Sequence, residues 1–436
     1  MKIAWFSPLP PQKSGIAHYS ELIIYELKKY AKVDLWVNDL IDEKFSRDFK
    51  VINYKLNPDC ERFLNDYTII IFNMGNDAIF HSEMFEVLKK YKGIVILHDY
   101  VLHHFFYEYW LNKKRNPMGY IKEMQLNYGE EGRKMAEEII SGKRKPVFET
   151  EKVIDFPLNL SVLKASEGII VHSEFVKKRI QFLVKIPIKK LNHPHFNIEP
   201  KRHLPTTVSN KRFRLFFLGE VGFNRQINKI IEIIGNDEVL KNHFLLIIVG
   251  KDTTDYAIKI KRYVEMFGLM KIVNFLGYHP PEEFEDLLET ADLCLGLRYP
   301  TMGETSGAVM RYLSAGKPTL VNKVGWYDEL PDEVVIKIDP GKEREEITSI
   351  LHNFLKNPKK YRIMGQRAKE YVKKNFSLDG FVQGLLEFID FVNRRKVLDS
   401  LIDKVSSELI SMNLIEDKYI LYKISKELYN MFKKVN

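Results

Sequence analysis

The segment GLRYPTMGETSGAVMRYLSAGKPTLVNKVG (296–325) gathers groups able to hold a phosphorylated sugar. A buried apolar run leads into Arg298, a loop carries Thr301 to Gly303, and Glu304 is expected to open a helix. Thr305, Ser306 and Gly307 then supply the unpaired first-turn N–H groups that attract phosphate. A carboxylate at Glu304 accepts from sugar hydroxyls; the alternative is an acid that merely suits the helix dipole. In FLGEVGFNRQINKIIEII (217–234), Arg225 stands where a second helix begins, well placed for bidentate bonds to a diphosphate. In SPLPPQKSGIAHYSELI (7–23), Ser14 and Gly15 open a third helix after a proline-rich loop, and glycine lets a ligand approach the backbone.

Strands must deliver these loops. Near-continuous apolar runs at 2–9, 33–37, 68–75, 93–99 and 168–173 alternate with helical patterns, as expected for parallel strands buried on both faces. After Asn197 the polar stretch IEPKRHLPTTVSNK has no periodicity and reads as a linker. The alternation restarts at 214–220, 243–251, 272–278, 293–297, 319–324 and 334–338. An α/β chain of two doubly wound Rossmann-like lobes facing a cleft follows, with ligands at the carboxyl ends of the strands. The boundaries expected are 1–198 for the first lobe, 199–211 for the linker and 212–377 for the second lobe. Residues 396–436, with apolar positions at three- and four-residue spacing broken by NLIED, read as an appended helical hairpin.

The segment 304–318 resembles GT-B glycosyltransferases of family 4, a retaining group that uses nucleotide-sugar donors. Their signature is a Glu, seven residues and a second Glu, with a glycine after the first and a G-K-P run closing the helix. Glu304, Gly307 and Ala315-Gly316-Lys317-Pro318 fall in register, whereas Tyr312 stands at the second Glu. Glu220 replaces an arginine that the family often carries after the preceding glycine. The resemblance implies that 1–198 is the acceptor-side lobe, that 212–377 holds the donor, and that 378–395 returns to the first lobe. It implies donor contacts from Ser14, Gly15, Arg225, Arg298, Thr305, Ser306 and Gly307, with Glu304 and His98 of LHDYVLHH (97–104) beside the reacting sugar. The nucleotide sugar is then a substrate, no cofactor is needed, and the acceptor is a glycan or lipid-linked glycan in cell-surface polysaccharide synthesis. Two alternatives stay open: a two-lobed nucleotide- or sugar-binding protein without turnover, and a nucleotide-sugar epimerase on the same architecture.

Composition narrows the rest. The 436 residues, 45% hydrophobic and 29% charged, describe a globular protein of two to three domains at ~150 residues each. The net charge of +9 favours anionic partners. Two distant cysteines, Cys60 and Cys294, build neither a disulfide framework nor a zinc ribbon. No G-x-G-x-x-G follows the first strand of either half, and AGKPT (315–319) lacks the Ser or Thr of a P-loop. His98, His103, His104, His172, His193 and His195 invite a metal, but adjacent histidines on a helix diverge, and no metal is expected. No run approaches the ~18 apolar residues of a membrane span, the N-terminal apolar run is too short for a signal-peptide core, and a cytoplasmic location is expected. Lys113-Lys114-Arg115 beside the aromatic run VLHHFFYEYWL (101–111) is expected to give peripheral contact with an acidic membrane. No nucleic-acid module is present.

Overall fold

The computed structural model describes residues 1–198, 212–412, 414 and 418–433; the expected linker at 199–211 lies outside the described residues. Residues Met1–Val382 form one compact unit containing two all-parallel sheets. The first sheet holds β1 (Lys2–Phe6), β2 (Lys32–Val37), β3 (Lys50–Asn53), β4 (Ile69–Met74), β5 (Ile94–Leu97), β6 (Gly168–Val171) and β7 (Ile188–Lys190) in the order β3-β2-β1-β4-β5-β6-β7. The second holds β8 (Phe213–Leu218), β9 (Phe244–Val249), β10 (Val273–Gly277), β11 (Leu293–Leu295), β12 (Thr319–Asn322) and β13 (Ile336–Ile338) in the order β10-β9-β8-β11-β12-β13. Both sheets share one winding, so strand order reverses beside the first strand of each. That reversal opens the crevice where ligands of doubly wound sheets bind.

The strands form because their apolar runs are sandwiched by helices. All six residues of β4 are buried, and Ile3, Phe6, Ile71, Phe72, Val95 and Ile169 have no exposed surface. In the second lobe Leu215, Phe217, Leu246 and Ile248 pack on one face of the sheet, with Phe216, Val249, Cys294 and Val321 on the other. Two strands escape the sequence reading, β3 and β7. They are short edge strands carrying Lys50, Lys189 and Lys190, and an edge offers only one neighbour, so little apolar pattern is required.

The ends of β8, β9 and β10 are packed backbone to backbone. Gly219 donates to the Val249 carbonyl and Gly250 to the Gly277 carbonyl, and all three glycines adopt positive φ. A Cβ at Gly250 would stand 2.0 Å from the Gly219 carbonyl oxygen.

The chain beyond 377 corrects one expectation. A single helix, Leu378–Ser411, runs through 395 and 396 without interruption, because FVNRRKVLDS (391–400) has no glycine or proline to stop it. The boundary between the two compact units falls inside this helix, after Val382. A second helix, Lys418–Lys433, completes the tail, and within that unit Leu401, Val405, Leu409 and Ile424 line a shared apolar groove. Residues 413 and 415–417 of the expected break lie outside the described residues.

The expected aromatic and basic rim is also corrected. Phe105, Phe106 and Tyr109 are buried in the first lobe's core, and Lys113 and Lys114 are paired with Glu83 and Glu86. Helical spacing turns those aromatics inward, against Phe85. Among the described residues no helix is long and apolar enough to cross a membrane.

Gly250→Ala is expected to cost about 1–3 kcal/mol through overpacking at the ends of β8 to β10. A urea midpoint equal to that of the wild type would show that the backbone yields there.

Candidate active site

The carboxyl ends of both sheets open on one cavity of 410 Å³. Its walls include Ser14, Gly15, His98, Arg225, Arg298, Glu304, Thr305, Ser306 and Gly307, so every site residue expected from the sequence borders the same space. Ser14 caps the helix Gly15–Leu27, its hydroxyl accepting from Ile16 N–H at 3.2 Å. A Cβ on Gly15 would meet nothing within 4 Å, so this glycine faces open space.

The loop after β11 is organised by Glu304. Helix Gly307–Ser314 begins three residues later, capped by Ser306, whose hydroxyl accepts from Val309 N–H at 3.3 Å. Glu304 therefore does not open the helix, as the sequence reading expected; it lies in the preceding loop and is only 9% exposed. Its Oε2 accepts from Met302 N–H at 2.8 Å and the Thr301 hydroxyl at 3.1 Å. Its Oε1 accepts from the Tyr327 hydroxyl at 3.4 Å and meets Arg298 Nε at 3.3 Å. An ionised carboxylate offers about four acceptor sites, and four donors converge on this one.

The second wall is held from behind by a buried polar chain. Arg298 N–H donates to Asn322 Oδ1 at 2.6 Å, Asn322 Nδ2 to Gln226 Oε1 at 3.2 Å, and Gln226 Nε2 to Glu343 Oε1 at 2.9 Å. Gln226 itself adopts left-handed φ, ending the turn Phe223–Arg225 that presents Arg225 to the cavity. One hydrogen-bonded line thus fixes the positions of both arginines.

The first-lobe wall is built from neutral rings, two acids (Asp77 and Asp99) and Lys13. His98 Nε2 lies 3.2 Å from Asn73 Oδ1, and the ring meets Tyr19 edge-on at 4.6 Å. His172 and His193 pack around the same tyrosine at 5.3 and 4.9 Å. Burial holds His98 well below the usual imidazole range and brings His172 down to about 4 and His193 to about 3. Among the described residues no group of three or more His, Cys, Asp or Glu is placed to hold a metal ion.

Asp99 was missed by the sequence reading, although it follows His98 at the carboxyl end of β5, where ligand-binding residues of such sheets gather. It lines the cavity and accepts from Asn76 N–H at 2.9 Å. Burial, with the Glu304 charge across the cleft, pushes its carboxyl up to about 7. Lys13 was missed as well; its ammonium sits 4.6 Å above the Tyr278 ring of the other lobe.

The two positions that depart from the resembled signature, Tyr312 and Glu220, both lie outside the cavity lining. Tyr312 is a core residue whose hydroxyl accepts from Leu218 N–H at 2.6 Å, outside the cavity lining. Its neighbour Arg311, 6% exposed, lies against the rings of Phe196 at 3.7 Å and Phe284 at 5.2 Å, with its Nε unpartnered. Glu220 is exposed and away from the lining.

The lobes meet around the cavity mouth. Val101 N–H donates to the Met302 carbonyl at 3.0 Å, and Gly303 at φ +74° packs on Tyr100, leaving no room for a side chain. On the far side the Glu329 carboxylate accepts from Glu174 N–H at 3.1 Å and Phe175 N–H at 2.7 Å.

Two outcomes follow from this geometry. Glu304→Gln places an NH₂ among donors, and a loss of about 1–3 kcal/mol is expected from the groups left unsatisfied; an unchanged melting temperature would mean that the loop does not depend on the carboxylate. For Asp99 the folded-state pKa lies above the unfolded one, so its contribution favours folding at low pH and is lost as pH rises through about 7. Asp99→Asn should therefore raise the melting temperature at pH 8 more than at pH 5. A pH-independent difference would remove Asp99 from its buried setting.

Comparison with known proteins agrees with this architecture. The chain is similar at 14% identity to HepE of Anabaena, whose structure was solved with UDP-glucose, over 89% of this chain and 99% of that one, with a TM-score of 0.61. Sucrose-phosphate synthase from Thermosynechococcus elongatus aligns at 14% identity over 92% of this chain and all of its own, with a TM-score of 0.60. WaaG, a glycosyltransferase involved in lipopolysaccharide biosynthesis, aligns at 15% identity over 89% and 99%, with a TM-score of 0.56. No curated protein gives a significant sequence match. Residues 201–371, nearly the whole second lobe with its Arg225, Arg298 and Glu304, match the family described as glycosyl transferases group 1, and the fold of the two lobes is GT-B.

Proposed function

We propose that this chain is a glycosyltransferase that moves a sugar from a nucleotide-sugar donor to an acceptor hydroxyl with retention of anomeric configuration. The observation that carries the reading is the asymmetry of the interlobe cavity. One wall presents Arg225, Arg298 with its partner Glu304, and the N-terminus of the Gly307 helix, a set suited to a diphosphate; the other presents neutral histidines with Lys13, Asp77 and Asp99. The group 1 match on the second lobe and the UDP-glucose held by Anabaena HepE support the same donor class.

In this reading the acceptor oxygen bonds to the anomeric carbon while the bond from that carbon to the diphosphate oxygen breaks. The acceptor proton passes to the leaving diphosphate, and no side chain is required as base. The developing negative charge is met by Arg225 and the helix amides, already in place before reaction. Neutral His98 offers a ring nitrogen to a sugar hydroxyl. Glu304 acts on the sugar chiefly by fixing Arg298 and the loop above it, since its own oxygens already have partners. The acceptor class is a glycan or lipid-linked glycan, and the scheme needs no metal.

A thermal-shift screen of nucleoside diphosphates and nucleotide sugars, UDP and UDP-glucose first, tests the donor class. A ligand at 100 times its dissociation constant should add ~2.7 kcal/mol of stability. Arg225→Ala should weaken the best nucleoside diphosphate by about tenfold to a hundredfold, the worth of a charge-assisted phosphate contact. No shift with any nucleotide would overturn the donor reading, and an inverted anomeric signal in the product NMR spectrum would overturn retention.

A further inference from the structure

The first lobe carries a surface unrelated to the cavity. Among the described residues no large apolar side chain is more exposed than Phe182, at 86%, and Leu183 beside it is exposed too. They form the turn after the helix Glu174–Ile180 and precede the edge strand β7. From 175 to 197 the chain has six Lys or Arg and no Asp or Glu. Lys178, Arg179 and Lys185 are exposed around the apolar turn, with Lys177 half-buried. Glu174 and Glu329 border this face, 3.9 and 3.7 Å from Lys190. A polar cavity of 530 Å³ is lined by Glu174, Lys177, Lys189, Lys190, Asn192 and Ser377.

We infer that the Glu174 helix, the Phe182–Leu183 turn and β7 form a docking surface for an acidic lipid bilayer. Two bare apolar side chains ringed by cations match the boundary between headgroups and acyl chains, where the apolar side chains enter the acyl layer and the cationic groups meet lipid phosphates. A second copy of the chain is a poor occupant, since it would bring the same positive face against itself. Nucleic acid would satisfy the lysines and leave Phe182 and Leu183 in water. The contact expected from Lys113, Lys114 and Arg115 is thereby moved to a part of the lobe where the apolar side chains beside the cations are exposed and not buried.

Flotation of the full-length protein with vesicles tests the assignment, using phosphatidylcholine alone and phosphatidylcholine mixed with phosphatidylglycerol. Binding is expected only with the acidic lipid and should fall with salt. The double variant Lys178→Glu/Lys185→Glu should bind at least about twenty-fivefold more weakly, since loss of each lysine's charge near an acidic surface alone costs a factor of about five. Its melting curve and nucleotide shifts should match those of the wild type, because neither residue borders the cavity. Phe182→Trp should show a blue-shifted emission, relative to the wild type, on adding acidic vesicles. Lys113→Glu/Lys114→Glu should float like the wild type. The inference fails if the wild type ignores acidic vesicles, if the Lys178/Lys185 variant floats equally well, or if the emission of the Phe182→Trp variant does not move. It fails equally if a DNA duplex competes with the vesicles at comparable affinity. None of these readouts uses a sugar donor, so failure here leaves the proposed reaction standing, and the reverse holds.

Discussion

The site depends on one buried carboxylate. Glu304 collects a guanidinium, two hydroxyls and a backbone N–H from Arg298, Tyr327, Thr301 and Met302. No neutral side chain accepts from four donors at once. Because those donors span the loop from 298 to 304 and the helix Gly325–Glu329, the acid sets the path of the chain between β11 and the Gly307 helix. That path aims Arg298, exposes the helix N-terminus and brings Met302 and Gly303 to the first lobe. An acid that reads in isolation as a ligand for hydroxyls is in the folded chain first a ligand for its own loop.

The two walls divide electrostatic labour. In the second lobe a file of amides, Asn322 and Gln226 anchored by Glu343, holds the backbone beside both arginines, and Glu304 pairs with the Arg298 guanidinium. In the first lobe, burial keeps His98, His172 and His193 uncharged, and Asp99 gains a proton more readily than a free aspartate. The guanidinium groups of the cleft thus stand on one side, and a diphosphate entering it has a defined orientation. The repeated strand order explains why both sides are present: each sheet offers its crevice at the same place in its winding, and the two crevices share one cavity.

Much of this was legible in the sequence, for physical reasons that also mark the limits. Strands buried on both faces appear as unbroken apolar runs, which is why β4, β5 and β9 are plain and the lysine-bearing edges β3 and β7 are not. The loops after β1, β8 and β11 stand out because Gly, Ser, Arg and Glu interrupt those runs at their carboxyl ends. Periodicity cannot tell an aromatic face turned inward from one turned outward, so Phe105, Phe106 and Tyr109 read as a rim and are core. Nor does a helix-start motif reveal that Ser306, two residues past Glu304, is the cap. Asp99 lay beside a residue already singled out, and its altered acidity arises in part from Glu304 some two hundred positions away, a proximity that only folding creates. Tyr312 was legible as a departure; that its hydroxyl closes a hydrogen bond to β8 was not.

Gly303 carries a consequence for how such a molecule changes over time. Its Cα rests against Tyr100 so closely that an added Cβ would lie 2.5 Å from the tyrosine's own. The width of the cleft at that point is therefore measured by a hydrogen atom. Residues that shape the cavity by reaching into it can be exchanged for others of similar reach, whereas this one shapes it by having no reach, and any replacement acts as a wedge. Variation in what the cleft accepts is thus free to accumulate along its walls while the spacing between them stays pinned at a position that tolerates no alternative.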